Sequence, residues 1–179
     1  MKLLTPYVLL ITGGIVLFNV RTERKLYLYT WCFITYIITL ILEIIGVRTG
    51  IIFGSYTYGN ILGFSFYGVP LIIGFNWVII IMASISIAQS AETNIILVAL
   101  LTATLGVIFD ITLEPVAVKL NYWKWEGDII PLRNYYSWFV IAFFFSILAS
   151  IMKIKLRSVF LEHYFLIQFM FFILLSLFI

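Results

Sequence analysis

Apolar runs of about twenty residues follow one another along almost the whole chain, and each is nearly free of charged residues. Of the 179 residues, 64% are hydrophobic and 11% are charged, whereas a soluble domain carries about 25% charged residues. A soluble fold could not cover so much apolar side chain with so little polar surface. Since a helix needs about 20 mostly apolar residues to cross a bilayer, the pattern predicts an integral membrane protein.

The runs predict one all-α transmembrane domain over residues 1–179, an integral membrane bundle of about six helices. The predicted spans are 3–20, 24–45, 68–90, 94–113, 136–152 and 161–179. The second is expected to end near Glu43, before Gly46, and the third to open at Pro70. The fourth is expected to stop at Pro115, because proline disfavours helical geometry in the residue that precedes it.

Two predicted connections, 46–67 and 114–135, are longer than a simple bundle requires. Both fall on the same side of the membrane, and glycines, prolines, polar and aromatic residues collect in them. We therefore expect these two loops to cap one open end of the bundle. Asn134 is the expected N-cap of the fifth span, and Thr93 or Asn94 that of the fourth.

Three carboxyl groups, Glu43, Asp110 and Glu114, lie at similar depth near the ends of the second and fourth spans. A charge at the bilayer centre costs about 3 kcal/mol on insertion scales, so such residues usually face a cavity or a partner. One interpretation is an interfacial carboxylate paired with Arg48, Lys119 or a tyrosine. The other is a catalytic cluster at the top of an apolar cavity, where burial would keep one carboxyl group protonated near neutral pH.

Aromatic residues flank these acids in the sequence. Tyr56 and Tyr58 would point the same way in an extended segment, and Trp77 lies inside the third span. For Tyr135 and Trp138 one interpretation is an aromatic belt at the membrane interface. The other is an aromatic pocket, whose ring faces attract cations.

Other chemistries find little support. His163 is the single histidine, which excludes a histidine-rich di-iron cluster, and the single Cys32 excludes a disulfide within the chain. Phosphate-binding glycine loops are absent from the sequence, as are paired Asp-rich motifs that hold magnesium pyrophosphate. Basic residues sit at the ends of apolar runs, so no nucleic-acid partner is expected. The sequence predicts acid–base chemistry with no cofactor and no metal.

Taken in order, several segments resemble the membrane-type carotenoid hydratase family, the CruF type that includes bisanhydrobacterioruberin hydratase. The matching stretches are Phe53-Gly54-Ser55-Tyr56 with Tyr58 and Leu62-Gly63; Gly68-Val69-Pro70-Leu71 with Trp77; Asp110 with Leu113-Glu114-Pro115 and Ala117; and Tyr122-Trp123-Lys124-Trp125 with Ile130-Pro131, Asn134 and Trp138-Phe139. The resemblance runs from about Glu43 to Phe139, over half of the chain.

The resemblance implies addition of water across the terminal carbon–carbon double bond of an acyclic carotenoid end. The implied partners are a lipid-soluble acyclic carotenoid, water and membrane lipid, with association with other carotenoid-pathway enzymes left open, in a multi-pass protein of a prokaryotic cell membrane. Asp110 or Glu43 would supply the proton, and Glu114 or Asn134 would hold the water. The implied substrate-binding residues are Tyr56, Tyr58, Trp77, Trp123, Trp125, Asn134 and Trp138.

Three alternatives stay open from the sequence. A carotenoid end-group cyclase of the lycopene type, or an isomerase, would also begin by protonating its substrate. A small transporter would need polar residues along several spans, whereas here they collect at one end. A structural or assembly subunit would tolerate loss of all three acids without any change in pigment.

Overall fold

A computed structural model describes residues 4–178 of the chain. The described residues form six α-helices: α1 (Thr5–Asn19), α2 (Lys25–Thr49), α3 (Leu71–Ala91), α4 (Ile95–Lys119), α5 (Leu132–Ile151) and α6 (Val159–Phe178). By length and composition, α2 to α6 could each cross a membrane, whereas α1 has 15 residues and is shorter. The predicted all-α membrane bundle is confirmed. Residue 3, where the first predicted span begins, and residue 179, where the sixth ends, lie outside the described residues.

Helix α3 forms the centre of the bundle and packs against each of the other five helices. In the most apolar 18-residue stretch of α3, 83% of the residues are buried, whereas the corresponding share is 22–39% in the other four long helices. A helix that is apolar on all sides is stable only when it is surrounded, and α3 contains no charged residue. The outer helices keep apolar side chains at the surface, as lipid contact requires.

The second helix does not end near Glu43, as predicted, but continues through Gly46 to Thr49. The glycine that ends it is Gly50, whose φ of 66° gives the left-handed C-terminal cap that glycine favours. Gly46 has a different role: a Cβ there would lie 2.5 Å from the Phe53 ring, so its small size allows the first loop to pack on α2.

The prediction that the fourth helix stops at Pro115 is also wrong, because α4 continues to Lys119 with Pro115 inside it. A proline removes one backbone donor and crowds the preceding turn. The helix nevertheless continues, because Val116 and Ala117 are completely buried beyond it and the last turn is closed by backbone hydrogen bonds. Asp110 and Glu114 therefore lie one turn apart on a single helix.

The fifth helix begins at Leu132, four residues before the predicted start, and Pro131 occupies its N-cap position. The prediction that Asn134 caps this helix is wrong, because its side chain points to α4 instead. The N-cap of α4 is Asn94, which is one of the two predicted candidates. Its side chain accepts hydrogen bonds from the N–H groups of Ile96 and Leu97.

Short strands join the two long loops into one cap over the end of the bundle. They are β1 (Tyr56–Tyr58), β2 (Ser65–Phe66), β3 (Val69–Pro70) and β4 (Trp123–Trp125). Strand β1 of the first loop pairs antiparallel with β4 of the second, with Tyr56 opposite Trp125 and Tyr58 opposite Trp123. Strands β2 and β3 form a separate antiparallel pair. The predicted cap thus exists as a small sheet that brings four aromatic side chains together.

We expect the substitution Gly59→Ala to damage this cap. The Gly59 N–H donates to the carbonyl oxygen of Tyr122 at 2.8 Å, and a Cβ at this position would lie 2.3 Å from the carbonyl oxygen of Asn121. Relieving that clash should separate the loops and cost about 1–3 kcal/mol of stability. Thermal unfolding of the purified protein in detergent would measure the loss. Gly14→Ala, which meets nothing within 4 Å, is the control, and equal midpoints for both variants would contradict the expectation.

Candidate active site

Three buried carboxyl groups line one cavity directly beneath the cap. Glu43, from α2, is 3% exposed, and Asp110 and Glu114, from α4, are 1% and 3% exposed. At about 1.5 Å of rise per residue, Glu43 and Asp110 lie about 9 and 14 Å before the capped ends of their helices. The sequence-predicted acids therefore converge on one site, within the depth of the bundle.

Glu43 accepts two phenolic hydrogen bonds on the same oxygen atom. The hydroxyl groups of Tyr56 and Tyr58 both donate to Oε2, the second at 2.8 Å. The two tyrosines alternate along β1 and face the same side, as the sequence predicts. Burial, and then the neighbouring Glu43, raise the pKa of both phenols above the ordinary value, so both remain protonated donors.

Asp110 and Glu114 share one amide group. The Asn134 side-chain nitrogen donates to Oδ2 of Asp110 at 2.7 Å and to Oε1 of Glu114 at 3.2 Å. Asn134 is 2% exposed and comes from the first turn of α5. The amide holds both carboxyl groups within hydrogen-bond distance of a single nitrogen, which fixes their relative position.

Glu114 also receives two indole hydrogen bonds from the cap. The Nε1 atoms of Trp123 and Trp125 donate to its Oε2 at 2.9 and 2.8 Å. Residues 123 and 125 alternate along β4 and are both buried, while Lys124 between them faces outward. Three N–H donors thus converge on Glu114, an arrangement suited to a charged carboxylate, which can only accept.

A stack of aromatic rings forms another wall of the cavity. The rings of Trp77 and Trp138 are parallel to within 17° with centroids 3.5 Å apart, and the Phe53 ring also stacks on Trp138, with centroids 5.1 Å apart. Trp138 is 3% exposed. The interfacial-belt interpretation of Trp138 is therefore wrong, because its ring is buried between α3 and the first loop.

The cavity has a volume of about 980 Å³ and is mostly apolar. All ten sequence-predicted site residues line it, because the cap, α2, α3, α4 and α5 each contribute to the same space. They are Glu43, Tyr56, Tyr58, Trp77, Asp110, Glu114, Trp123, Trp125, Asn134 and Trp138.

Sequence reasoning missed two parts of this site. Asn76 lines the cavity, is 9% exposed, and its Oδ1 atom has no hydrogen-bond partner among residues 4–178. A polar side chain inside an otherwise apolar span, beside Trp77, was the available signal. The cavity also extends between α1 and α6. The available signal was a set of polar residues in these mostly apolar helices, since Thr12, His163, Tyr164 and Gln168 all line the extension.

The part of the chain that the structure describes contains no candidate metal site of this kind. Residues 4–178 contain no group of three or more His, Cys, Asp or Glu side chains placed to hold a metal ion. Five neutral groups from the described residues donate hydrogen bonds to the three acids: two phenols, two indoles and one amide. Cofactor-free chemistry stays a prediction from the sequence.

Five long apolar helices, with a carboxyl cluster buried beneath a cap, indicate a multi-pass membrane protein with a large apolar cavity. The chain belongs to the family of carotenoid biosynthesis proteins, whose model matches residues 4–179. No curated protein and no solved structure matches the chain.

Proposed function

We propose that this protein is a carotenoid hydratase of a prokaryotic cell membrane, which adds water to the terminal double bond of an acyclic carotenoid end. The observation that carries the proposal is the convergence of three buried carboxyl groups at the aromatic end of a large apolar cavity. Proton donors, cation-stabilising ring faces and space for a hydrocarbon meet there. Membership of a carotenoid biosynthesis family supports the substrate class.

In the first step, Asp110 donates a proton to the less substituted carbon of the terminal double bond. Its Oδ2 atom is held by Asn134, which leaves Oδ1 to carry the proton into the cavity. Asp110 and Glu114 lie one helical turn apart and share the Asn134 amide, and we assign the acid role to Asp110 and the carboxylate role to Glu114. The new C–H bond leaves a tertiary carbocation at the neighbouring carbon.

Glu114 and the aromatic walls stabilise this cation. Three N–H groups donate to Glu114, an arrangement that suits the carboxylate form, and Glu114 lies one helical turn from the acid that has lost its proton. The faces of Trp77 and Tyr58 add the attraction between a cation and an aromatic ring. Preorganised charges and dipoles stabilise a cation far more strongly in a water-poor cavity than they would in water. A weak acid can protonate an alkene only when the resulting cation is stabilised in this way.

Water then adds to the cation and gives a tertiary alcohol. Both hydrogen bonds from Asn134 to the acids come from its nitrogen, so its Oδ1 can accept one from the water. Glu114 takes the proton that the attacking water loses, and proton exchange between Glu114 and Asp110 restores the starting state. One water is consumed, one C–H and one C–O bond form, and no oxidant or reductant is needed.

The proposal is tested by expressing the chain in a bacterium that accumulates lycopene, with liquid chromatography and mass spectrometry of the pigments. We expect a more polar product that is heavier by one water and has an unchanged chromophore. A product of equal mass would show cyclisation or isomerisation, which begin with the same protonation. Unchanged pigment, with the protein verified in the membrane, would contradict the proposal.

The pairing of Glu43 with its two phenols gives a further prediction. Glu43→Gln should lower the hydration rate about tenfold. The glutamine oxygen can still accept from both phenols, but a hydrogen bond to a charged group is about 1.5 kcal/mol stronger than one to a neutral group. Tyr58→Phe should lower it similarly, and the double variant should lose little more than either single one, because the two groups act as a unit. Initial rates in isolated membranes would be compared with those of Glu23→Gln, an exposed acid in the α1–α2 turn. Fully additive losses would show that Glu43 and Tyr58 act separately.

A further inference from the structure

We infer that the groove between α1 and α6 binds the polyene chain of the substrate while its terminal double bond lies at the carboxyl cluster. This α1–α6 groove is the extension of the cavity lined by Val8, Thr12 and Ile15 of α1 and by Tyr164, Ile167 and Phe171 of α6. The inference rests on the proposed function and adds where the rest of the substrate lies and how it enters.

The groove follows a single face of α6 for nearly its full length. Cavity-lining residues recur every four positions from Val159 to Leu175, which corresponds to about 24 Å of helix at 1.5 Å per residue. On α1 the lining runs from Thr5 to Val16, or about 17 Å. The groove is therefore long enough along both helices to hold an extended chain.

The groove begins at the carboxyl cluster and runs away from the cap. Helix α6 starts at the uncapped end, where Glu162 accepts hydrogen bonds from Ser86 and Ser90 at the end of α3. Helix α1 starts at the capped end, where the Thr5 hydroxyl lies 2.7 Å from that of Tyr122. A linear ligand with its end at the cluster must consequently extend between these two helices toward the opposite membrane face.

The chemistry of the groove suits a hydrocarbon that enters from lipid. Apart from Thr12, His163, Tyr164 and Gln168, the residues that α1 and α6 contribute beyond Thr5 are apolar. Ile15, Ile167 and Phe171 are 57%, 67% and 51% exposed, so the groove is open along one side. The whole cavity, of which the groove is one part, has a volume of about 980 Å³, at the upper end of the range for ligand pockets. A polyene can thus slide in sideways, without passing through water.

A tryptophan scan tests this assignment with a binding readout that does not depend on turnover. Thr12→Trp places a large ring in the middle of the groove, whereas Ile11→Trp adds the same ring at the neighbouring exposed position, which does not line the cavity. The purified proteins in detergent would be incubated with lycopene, separated by gel filtration, and assayed for retained pigment by visible absorbance.

We expect wild type and Ile11→Trp to retain pigment and Thr12→Trp to retain roughly tenfold less or lower still, because the ring overfills the space that the chain needs. The ratio of the hydration rate of a short acyclic terpene with the same end group to that of lycopene should rise at least about tenfold in Thr12→Trp, since the short substrate does not reach the middle of the groove. Equal pigment retention by Thr12→Trp and wild type would overturn the assignment, and so would absence of retained pigment in wild type. Retained pigment in wild type without any hydrated product would contradict the proposed reaction but support the assignment of the groove.

Discussion

Replacement of Asp110 by asparagine will lower the hydration rate by about 10²–10⁴, the usual contribution of a positioned general acid. The asparagine has the same shape, and its oxygen can still accept the hydrogen bond that Asn134 donates to Oδ2 at 2.7 Å. The bundle should therefore fold as before, with the site intact except for the proton. Hydrated pigment per amount of membrane-inserted protein, measured by mass spectrometry, gives the rate.

The matched control is Asp128→Asn in the cap. Asp128 has 77% of its side chain exposed and forms an ion pair with Lys124 at 3.7 Å, and asparagine tolerates its left-handed backbone, with φ at 57°. This variant should hydrate at the wild-type rate. Full activity in Asp110→Asn would remove Asp110 as the acid and transfer that role to Glu43.

Replacement of Glu114 by glutamine should affect both the reaction and the stability of the fold. A carboxylate satisfies the two indoles and the amide that point at it, whereas a glutamine offers one oxygen and turns its own NH₂ toward another donor. An unsatisfied buried donor costs about 1–3 kcal/mol, which should lower the unfolding midpoint in detergent. Loss of the fixed negative charge should lower the rate by about 10²–10³, as for other preorganised groups that stabilise charge in a transition state.

A second pair of variants distinguishes the charge of Glu114 from its structural role. Trp123→Phe and Trp125→Phe, made separately, each remove one indole donor and leave the carboxylate with its two other N–H donors. If the charge of Glu114 stabilises the cation, each variant should lose stability but keep a rate well above that of Glu114→Gln. A rate as low as that of Glu114→Gln in both variants would show that Glu114 acts by positioning the cap.

Hydropathy predicted the helices because each long apolar run has only one stable state in a bilayer. It failed at helix ends near glycine and proline. Pro115 was expected to stop α4, but burial of the next turn outweighs one lost backbone hydrogen bond. Gly46 was taken as lying beyond the end of α2, whereas the backbone turns at Gly50. The tendency of a single glycine or proline to end a helix is thus weaker than the stabilisation that comes from packing the helical turn that contains it.

The tertiary structure alone decided how the site is assembled. The sequence marked Glu43, Asp110 and Glu114 as costly in a membrane and placed Tyr56 and Tyr58 on one side of an extended segment. The pairing of β1 with β4, which carries the two indoles to Glu114, joins segments more than sixty residues apart.

By itself the sequence determined the all-α membrane bundle, the depth of its three acids and the loops that cap them, because bilayer thickness and the cost of a buried charge act residue by residue. The partners of those acids, the role of Asn134 in the first turn of α5 and the groove between α1 and α6 were decided by the tertiary structure. They depend on which helix faces are neighbours, and apolar residues look the same in the sequence whether they face lipid, a groove or another helix.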